Sequence, residues 1–273
     1  MITFPNAKIN LGLNIVSRRP DGYHNIETVF YPIPLTDSLE IVPAEGSEST
    51  LTCYGRVVDC PTEKNLVMKA YRMMEKEFGL PPVDIYLVKH IPDGAGLGGG
   101  SSDASFCMKM LNDMFELGCT TEQLAKMASK IGADCPFFIH NKPMMATGIG
   151  DEFTPTDVCL KGKHMLLVKP DVSVPTKAAY AQVTPAPSAK PIPEILSDGM
   201  ENWQKELVND FEKSVFAQYP SLAEIKRTLL ESGASYAAMS GSGSSIFGIF
   251  SCAEMAETAA DNFKEYSHFV IQL

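Results

Sequence analysis

Apolar and polar residues alternate along the segment NAKINLGLNIV, residues 6–16. Side chains two positions apart lie on the same face of a β-strand. The odd-numbered residues from Ala7 to Ile15 therefore form an apolar face, and Lys8 and Asn10 lie on the second face. The pattern predicts a half-buried strand. RRPDGYHN then predicts a turn, and IETVFYPI predicts the returning strand.

Helical spacing and strand alternation follow along the next part of the chain. Apolar spacing predicts helices within residues 65–79, 101–118 and 121–132, and a strand over residues 83–91. Serine or aspartate at 101–103 is expected to cap the second helix. Asp134 is expected in a bend between a helix end and a short strand, PFFIH.

The order of elements changes after about residue 155. Strands are predicted over residues 164–170, 235–239, 245–250 and 268–273, and the stretch 203–233 is mostly helical. Four prolines between Pro185 and Pro193 predict an irregular loop. Because the later strands need partners from residues 165–169, we expect domains at 1–155 and 156–273. Helices do not regularly follow strands, so the predicted class is α+β.

Composition narrows the range of partners. The chain has 273 residues, of which 45% are apolar, and its net charge is −10. No basic stretch favours nucleic acid, and no apolar run or amino-terminal leader pattern favours a membrane or export. Seven cysteines without a C-x-x-C pair are typical of reduced thiols in the cytoplasm. We expect a small-molecule partner, and the chain could be a monomer or a homodimer.

The segment PDGAGLGGGSSDA, residues 92–104, contains five glycines. No lysine precedes Ser101, so the P-loop pattern fails, and the H-R-D and D-F-G motifs of protein kinases are missing. Gly94, Gly96 and Gly99 satisfy the dinucleotide fingerprint G-x-G-x-x-G, which is weak evidence on its own. Bare amides before a helix favour a bound anion. A flexible loop with a helix cap is the alternative.

The glycine segment resembles the central motif of the GHMP family of small-molecule kinases. NAKINLGLNIVSRRPDGYHNIETVF, IGADCPFFI and AAMSGSGSSIFGIF resemble three further motifs of one member of that family, in the same order. The resemblance implies a two-domain GHMP kinase fold, with an amino-terminal domain like that of a ribosomal protein and a ferredoxin-like second domain. It also implies ATP and Mg²⁺ as cofactors and phosphorylation of an alcohol on a cytidine diphosphate-linked polyol.

Lys8 and Asp134 are the candidate catalytic pair. A carboxylate can accept the proton of the acceptor hydroxyl, and an ammonium can stabilise the developing charge and keep the carboxylate ionised. The resemblance places the family's catalytic pair at these two positions. The alternatives are a helix-capping role for Asp134 and an exposed strand position for Lys8.

Further residues are assigned to the two ligands by the resemblance. The ATP-binding candidates are Pro92, Asp93, Gly94, Ala95, Gly96, Leu97, Gly98, Gly99, Gly100, Ser101 and Ser102 of the glycine segment, with Asn65 and Lys89 on the adenine side. The substrate-binding candidates are Asn10, Tyr23, His24, Tyr180, Gly241, Ser242 and Gly243.

Aromatic and imidazole rings suit a nucleobase, which supports Tyr23 and His24 as cytidine ligands. Gly241–Gly243 form a second possible anion nest, which could face the acceptor's diphosphate, brace the first loop or only turn a hairpin. Asp93 departs from the family pattern, because a carboxylate beside a phosphate is unfavourable unless it points away. Lys64, where the family commonly has an acidic residue, is a second departure.

Three rival functions remain open. Another GHMP kinase could act on mevalonate, homoserine or a sugar, a Rossmann oxidoreductase could use the glycine fingerprint, and a binding module could lack catalysis.

Overall fold

The computed structural model describes residues 1–57 and 60–273. The strands are β1 (Ile2–Thr3), β2 (Asn6–Arg18), β3 (His24–Thr36), β4 (Ser38–Pro43), β5 (Thr50–Gly55), β6 (Val83–Lys89), β7 (Met144–Thr147), β8 (Glu152–Pro155), β9 (His164–Lys169), β10 (Tyr236–Met239), β11 (Ile246–Phe250) and β12 (Ser267–Gln272). The helices are α1 (Leu66–Phe78), α2 (Gly99–Met114), α3 (Thr121–Ala128), α4 (Cys135–His140), α5 (Thr176–Tyr180), α6 (Ile192–Ser197), α7 (Met200–Glu206), α8 (Phe211–Gln218), α9 (Pro220–Glu231) and α10 (Ala253–Ala260). This mixture of elements confirms the α+β class.

Two compact units divide the chain, and each is built from separated segments. The first unit contains Met1–Ala7, Leu35–Asp93 and Gly98–Lys142, and the second contains Lys8–Pro34, Gly94–Leu97 and Pro143–Leu273. The glycine segment therefore passes from the first unit into the second and back. The domain boundary at residue 155 stays a prediction.

The first unit contains a four-stranded sheet in the order β1-β4-β6-β5. Strand β6 is antiparallel to β4 and parallel to β5. Its residues alternate in exposure, so that Val83, Ile85, Leu87 and Lys89 all lie on the buried face. The apolar members of this face pack with α1 and α2 into one core.

The second unit contains the sheet β2-β3-β7-β8. The expectation that β2 is half-buried was wrong, because every residue from Ala7 to Leu13 is buried. Gly12 explains part of this burial on the second face. Its φ is +66°, and a Cβ added there would lie 2.6 Å from Leu207 Cδ1. The helical segment around Leu207 therefore packs directly against the polar face of β2.

A second sheet of this unit has the order β10-β11-β9-β12. Strand β9 lies in the middle and pairs antiparallel with both β11 and β12. This confirms that residues 165–169 provide partners for the later strands. The apolar sides of α8, α9 and α10 cover the sheet.

The prediction of a strand at PFFIH was wrong, because Cys135–His140 form helix α4. Pro136 lies in the first turn, where a missing N–H costs no helical hydrogen bond. Asn141 ends the helix in the left-handed region at φ 50°. Short apolar runs cannot distinguish a strand from a buried helix by periodicity.

Two further expectations are corrected. Helix α2 begins at Gly99 with Gly98 at the N-cap and no side-chain capping bond, so residues 101–103 lie inside the helix. The proline-rich loop is shorter than expected, since α6 starts at Ile192 and Pro193 occupies its first turn. No helix in the described residues is long and apolar enough to cross a bilayer.

Candidate active site

Lys8 lies on β2 in the second unit, where its side chain is buried at 3% relative exposure. Its Nζ donates to Asn10 Oδ1 at 2.7 Å and to the Gly96 carbonyl oxygen at 3.0 Å. The ammonium also lies 4.7 Å from the centre of the Phe30 ring, within the range of a cation–π contact. Lys8 is therefore not the exposed strand lysine of the alternative interpretation.

A chain of hydrogen bonds continues from Lys8 into the sheet. Asn10 Nδ2 donates to Thr28 Oγ1 at 2.9 Å, and Thr28 Oγ1 donates to the Gly12 carbonyl at 2.5 Å. Thr28 is fully buried. These bonds fix the rotamer of Asn10 and, through it, the position of the Lys8 ammonium. Sequence reasoning missed Thr28, although it lies two positions from Ile26 and from Phe30 on the buried face of β3.

Three glycines of the loop before α2 have left-handed backbone conformations: Gly94 at φ 58°, Gly96 at 77° and Gly98 at 71°. Residues with a Cβ rarely adopt such angles. At Gly96 the space is also closed, because an added Cβ would lie 2.0 Å from the Ser240 carbonyl oxygen. The loop therefore requires glycine for both its curvature and its close contact with residue 240.

The segment Ser240–Ser245 connects β10 to β11 and braces the glycine loop within the second unit. Ser240 Oγ donates to the Gly96 carbonyl at 2.8 Å, and Ser245 N donates to the Ala95 carbonyl at 3.2 Å. Asn209 Nδ2 donates to the carbonyls of Met239 and Gly241 at 2.8 Å each. The hairpin and bracing interpretations of Gly241–Gly243 both fit these contacts, and a contact of Ser242 with the acceptor stays a prediction.

Helix α2 opens directly after the glycine loop. Its first intrahelical bond runs from Ser102 N to the Gly98 carbonyl at 2.9 Å, so the N–H groups of Gly99, Gly100 and Ser101 have no partner inside the helix. The Ser102 hydroxyl is buried and has no hydrogen-bond partner in the described part of the chain. These groups supply the donors that an anion at a helix N-terminus requires.

Asp134 stands at the N-cap of α4 in the first unit, partly exposed. Its carboxylate makes no capping hydrogen bond to that helix, which leaves the capping alternative without support. Ser105 Oγ of α2 bonds to the Ser101 carbonyl at 2.7 Å and the Cys135 carbonyl at 2.8 Å. Burial raises the pKa of the Cys135 thiol to about 11, and the Asp134 charge adds to this shift. Cys135 therefore remains a neutral packing thiol beside the carboxylate.

The aromatic candidates are only partly brought together. The rings of His24 and Tyr180 stack at 5.1 Å and 21°, and Tyr180 packs edge-on against Phe211 at 4.8 Å. Tyr23 is 61% exposed at the turn between β2 and β3. The structure thus pairs Tyr180 with His24 and leaves the Tyr23 side chain largely in solvent.

The two candidates on the adenine side have local structural contacts. Asn65 caps α1 by accepting a bond from Val67 N at 2.9 Å. Lys89 is buried and forms ion pairs with Asp37 and Asp103. Asp93 is exposed. Contacts of Asn65, Lys89 or Asp93 with ATP stay predictions, as does the pairing of Lys8 with Asp134.

The chain matches two family models. Residues 65–142 match the GHMP kinases N-terminal domain, and residues 189–268 match the GHMP kinases C-terminal domain. The first match contains the glycine loop and Asp134, and the second contains the segment that braces the loop.

Proteins named 4-diphosphocytidyl-2-C-methyl-D-erythritol kinase are similar over nearly the whole chain. The protein from Bacteroides fragilis is 56% identical over 253 residues, covering 92% of each chain. The one from Parabacteroides distasonis is 54% identical over 269 residues, covering 98% of this chain and 96% of the relative.

Solved structures show the same architecture. A crystal structure of 4-(cytidine 5'-diphospho)-2C-methyl-D-erythritol kinase aligns with a TM-score of 0.85 at 31% identity, covering 99% of this chain and 98% of that chain. The mevalonate kinase of Methanococcus jannaschii aligns with a TM-score of 0.74 at 14% identity, covering 100% and 98%. The second likeness supports the fold alone.

Proposed function

The chain belongs to the GHMP kinase family, and from that premise we propose that it transfers the γ-phosphoryl group of ATP to the 2-hydroxyl of 4-diphosphocytidyl-2-C-methyl-D-erythritol. The products are the 2-phosphate and ADP, which places the reaction in non-mevalonate isoprenoid precursor synthesis. The observation that carries this proposal is the 54% identity to the Parabacteroides distasonis kinase over 98% of the chain. Family membership removes the Rossmann oxidoreductase from the candidates.

The glycine loop and the start of α2 are proposed to hold the triphosphate. Unbonded N–H groups at the first turn and the positive end of the helix dipole favour the phosphate charge. The left-handed glycines bring the backbone close to the ligand without side chains in between. The buried Ser102 hydroxyl adds one donor.

Asp134 and Lys8 are proposed to act on the acceptor hydroxyl. The Asp134 carboxylate accepts the hydroxyl proton as the oxygen forms its bond to the γ-phosphorus, and the bond to the β-phosphate bridging oxygen breaks. The Lys8 ammonium stabilises the charge that develops on the attacking oxygen. The network through Asn10 and Thr28 supports this role, because it holds the ammonium in one position before substrate binds.

The cytidine end of the acceptor is proposed to lie against Tyr180 and His24. Their stacked rings present an aromatic face and an imidazole edge, which suit a pyrimidine base. Tyr23 is exposed at the neighbouring turn, so its ring is free to close over the base when ligand binds.

Mg²⁺ is proposed to arrive with ATP. No group of three or more His, Cys, Asp or Glu side chains that could hold a metal ion occurs within residues 1–57 and 60–273. In such sites Mg²⁺ is commonly held by substrate phosphates, water and one or two carboxylates. Bound there, it would neutralise charge on the phosphates. We propose a cytoplasmic location for the reaction, which accords with the seven free cysteines.

The test offers the purified protein ATP and Mg²⁺ with one acceptor at a time. The panel contains 4-diphosphocytidyl-2-C-methyl-D-erythritol, mevalonate, homoserine and a sugar, and ADP release is measured. We expect release above background with the cytidine compound alone. ADP release with a different acceptor of the panel, or no release with the cytidine compound, would contradict the proposal.

A second test concerns the base. Asp134→Asn should lower turnover by about 10²–10⁴-fold, the usual contribution of general-base catalysis, while ATP still binds. Asp113→Asn, an exposed position on α2, is the matched control. Turnover that survives in Asp134→Asn would mean that another group takes the proton.

A further inference from the structure

Three charged side chains meet in the core of the first unit: Asp37, Lys89 and Asp103, here called the buried charge cluster. All three are at most 4% exposed. Lys89 Nζ donates to Asp103 Oδ2 at 2.7 Å and also to Asp37 Oδ2. Charged groups are rarely buried without a specific role, because desolvation costs free energy that the ion pair must offset.

Asp37 fixes the backbone that leads into the glycine segment. Its Oδ1 accepts bonds from His90 N at 2.6 Å and from Ile91 N at 2.8 Å. Its own N–H donates to the Pro5 carbonyl at 2.9 Å. One carboxylate therefore holds two consecutive amides immediately before Pro92, where the loop begins.

Lys89 connects the segment before Pro92, where the glycine loop begins, to helix α2, where the loop ends. It is the last residue of β6, and its partner Asp103 lies in the second turn of α2. A methyl group at Gly99 would lie 3.2 Å from Lys89 Nζ and 3.0 Å from Ile91 Cγ2. The first residue of α2 is thus in close contact with both the ammonium and the strand end.

We propose that the buried charge cluster is a positioning device that sets the two ends of the glycine loop and so preforms the cradle for the phosphates. Asp37 acts on the nucleotide through the backbone, without touching it. This inference rests on the proposed function only in that the ligand of the loop is ATP.

The charge balance of the cluster supports this role. Burial raises the pKa of Asp103 to about 8, with the Asp37 charge acting in the same direction and Lys89 opposing it. Asp103 Oδ1 is buried without a hydrogen-bond partner among the described residues. A raised pKa favours the protonated form of Asp103, which lowers the negative charge of the cluster. A less negative cluster repels an anion at the start of α2 less strongly.

The experiment measures the dissociation constant of ATP directly, with no acceptor present. Asp37→Ala releases the amides of His90 and Ile91 but leaves the Asp103 carboxyl group as a partner of Lys89. We expect it to weaken ATP binding by about tenfold or more, the range for losing hydrogen bonds to a charged group. Asp37→Asn keeps an acceptor oxygen and should restore most of the affinity. Asp113→Ala on α2 is the control.

The results separate this inference from the reaction itself. Unchanged ATP affinity in a folded Asp37→Ala protein would overturn it, as would equal loss in Asp37→Asn. Failure of the wild type to phosphorylate the cytidine acceptor would contradict the proposed function but would not affect the ATP-binding measurement.

A measurement on the wild type needs no variant. Amide hydrogen exchange at His90 and Ile91 should be slow in the nucleotide-free protein, because Asp37 already holds both N–H groups. Fast exchange that slows only when ATP binds would show that the cradle is not preformed and would overturn the inference.

Discussion

Two buried lysines, one in each unit, are stabilised by different kinds of partner. Lys8 Nζ donates to an amide oxygen and a backbone carbonyl and lies near an aromatic ring. Lys89 Nζ donates to two carboxylates. Amide and carbonyl oxygens orient the Lys8 ammonium, whereas two carboxylates hold Lys89 in a buried ion-pair cluster. The comparison accords with the two roles proposed above, in which Lys8 acts on the substrate and Lys89 holds the backbone.

Removing the Lys89 charge should have the largest effect on stability. Lys89→Met leaves Asp37 and Asp103 buried without their cation, and breaking a buried pair in this way costs about 3–5 kcal/mol. Urea unfolding measures the loss. Lys76→Met, at an exposed position on α1, should change the free energy of unfolding little. A Lys89→Met protein as stable as the wild type would contradict a stabilising role for the buried charge cluster.

Removing the Lys8 charge should instead affect turnover. Lys8→Met should lower kcat by about 10²–10³-fold, the size of effect seen when one transition-state donor is lost. The dissociation constant of ATP should stay close to that of the wild type. Lys161→Met, exposed before β9, is the control in steady-state assays. A kcat within a few-fold of the wild type would contradict a catalytic role for Lys8.

Thr28 offers a smaller change in the same network. Thr28→Val keeps the shape but removes the acceptor of Asn10 Nδ2 and the donor to Gly12. Kcat should fall by about tenfold, equivalent to about 1.4 kcal/mol, with the KM for ATP unchanged. Thr28→Ser keeps the hydroxyl and should recover most of the turnover. Lower thermal stability with unchanged kcat would mean that Thr28 serves only the fold.

The last expected effect is a pH dependence that Asp103 brings to stability. Its pKa is raised by burial from 3.8 to about 8 in the folded protein, so the folded state holds the proton more tightly than the unfolded state. Stability from this group is complete below pH 4 and declines as pH rises towards 8. The charged groups that act on it are Lys89, which opposes the shift, and Asp37, which adds to it.

Asp103→Asn cannot titrate, so it reveals this contribution by difference. Its free energy of unfolding should improve relative to the wild type between pH 5 and about pH 8. Urea unfolding of both proteins at several pH values measures the change. A difference that is independent of pH would mean that Asp103 is ionised throughout that range.

Local patterns in the sequence predicted most of the regular structure. Alternation located β6, the apolar run of residues 164–170 located β9, and helical spacing located α1 within residues 65–79. PFFIH was assigned wrongly because five residues are too few to show a period. The polar face of β2 was expected to face solvent. Leu207 packs against Gly12 on that face, and a local pattern cannot show a contact between residues nearly 200 positions apart.

Parts of the candidate site that depend on local sequence were predicted, and parts that depend on contacts between distant segments were not. The glycine loop is a local signal, so the helix after it was predicted, although the helix begins at Gly99 and not after residues 101–103. The burial of Lys89 was visible in the alternation of VDIYLVK, where it continues the apolar face. Asp37 and Asp103 carry no such signal, because their pairing with Lys89 arises only when three separate segments meet.

The most direct test measures ATP affinity and turnover together in Lys8→Met and Asp37→Ala. The account predicts that Lys8→Met binds ATP like the wild type but turns over slowly at any ATP concentration. Asp37→Ala should bind ATP weakly and regain much of its turnover when ATP is raised to saturation. The same defect in both proteins, whether in affinity or in turnover, would contradict the division between a lysine that acts on the substrate and a cluster that positions the loop.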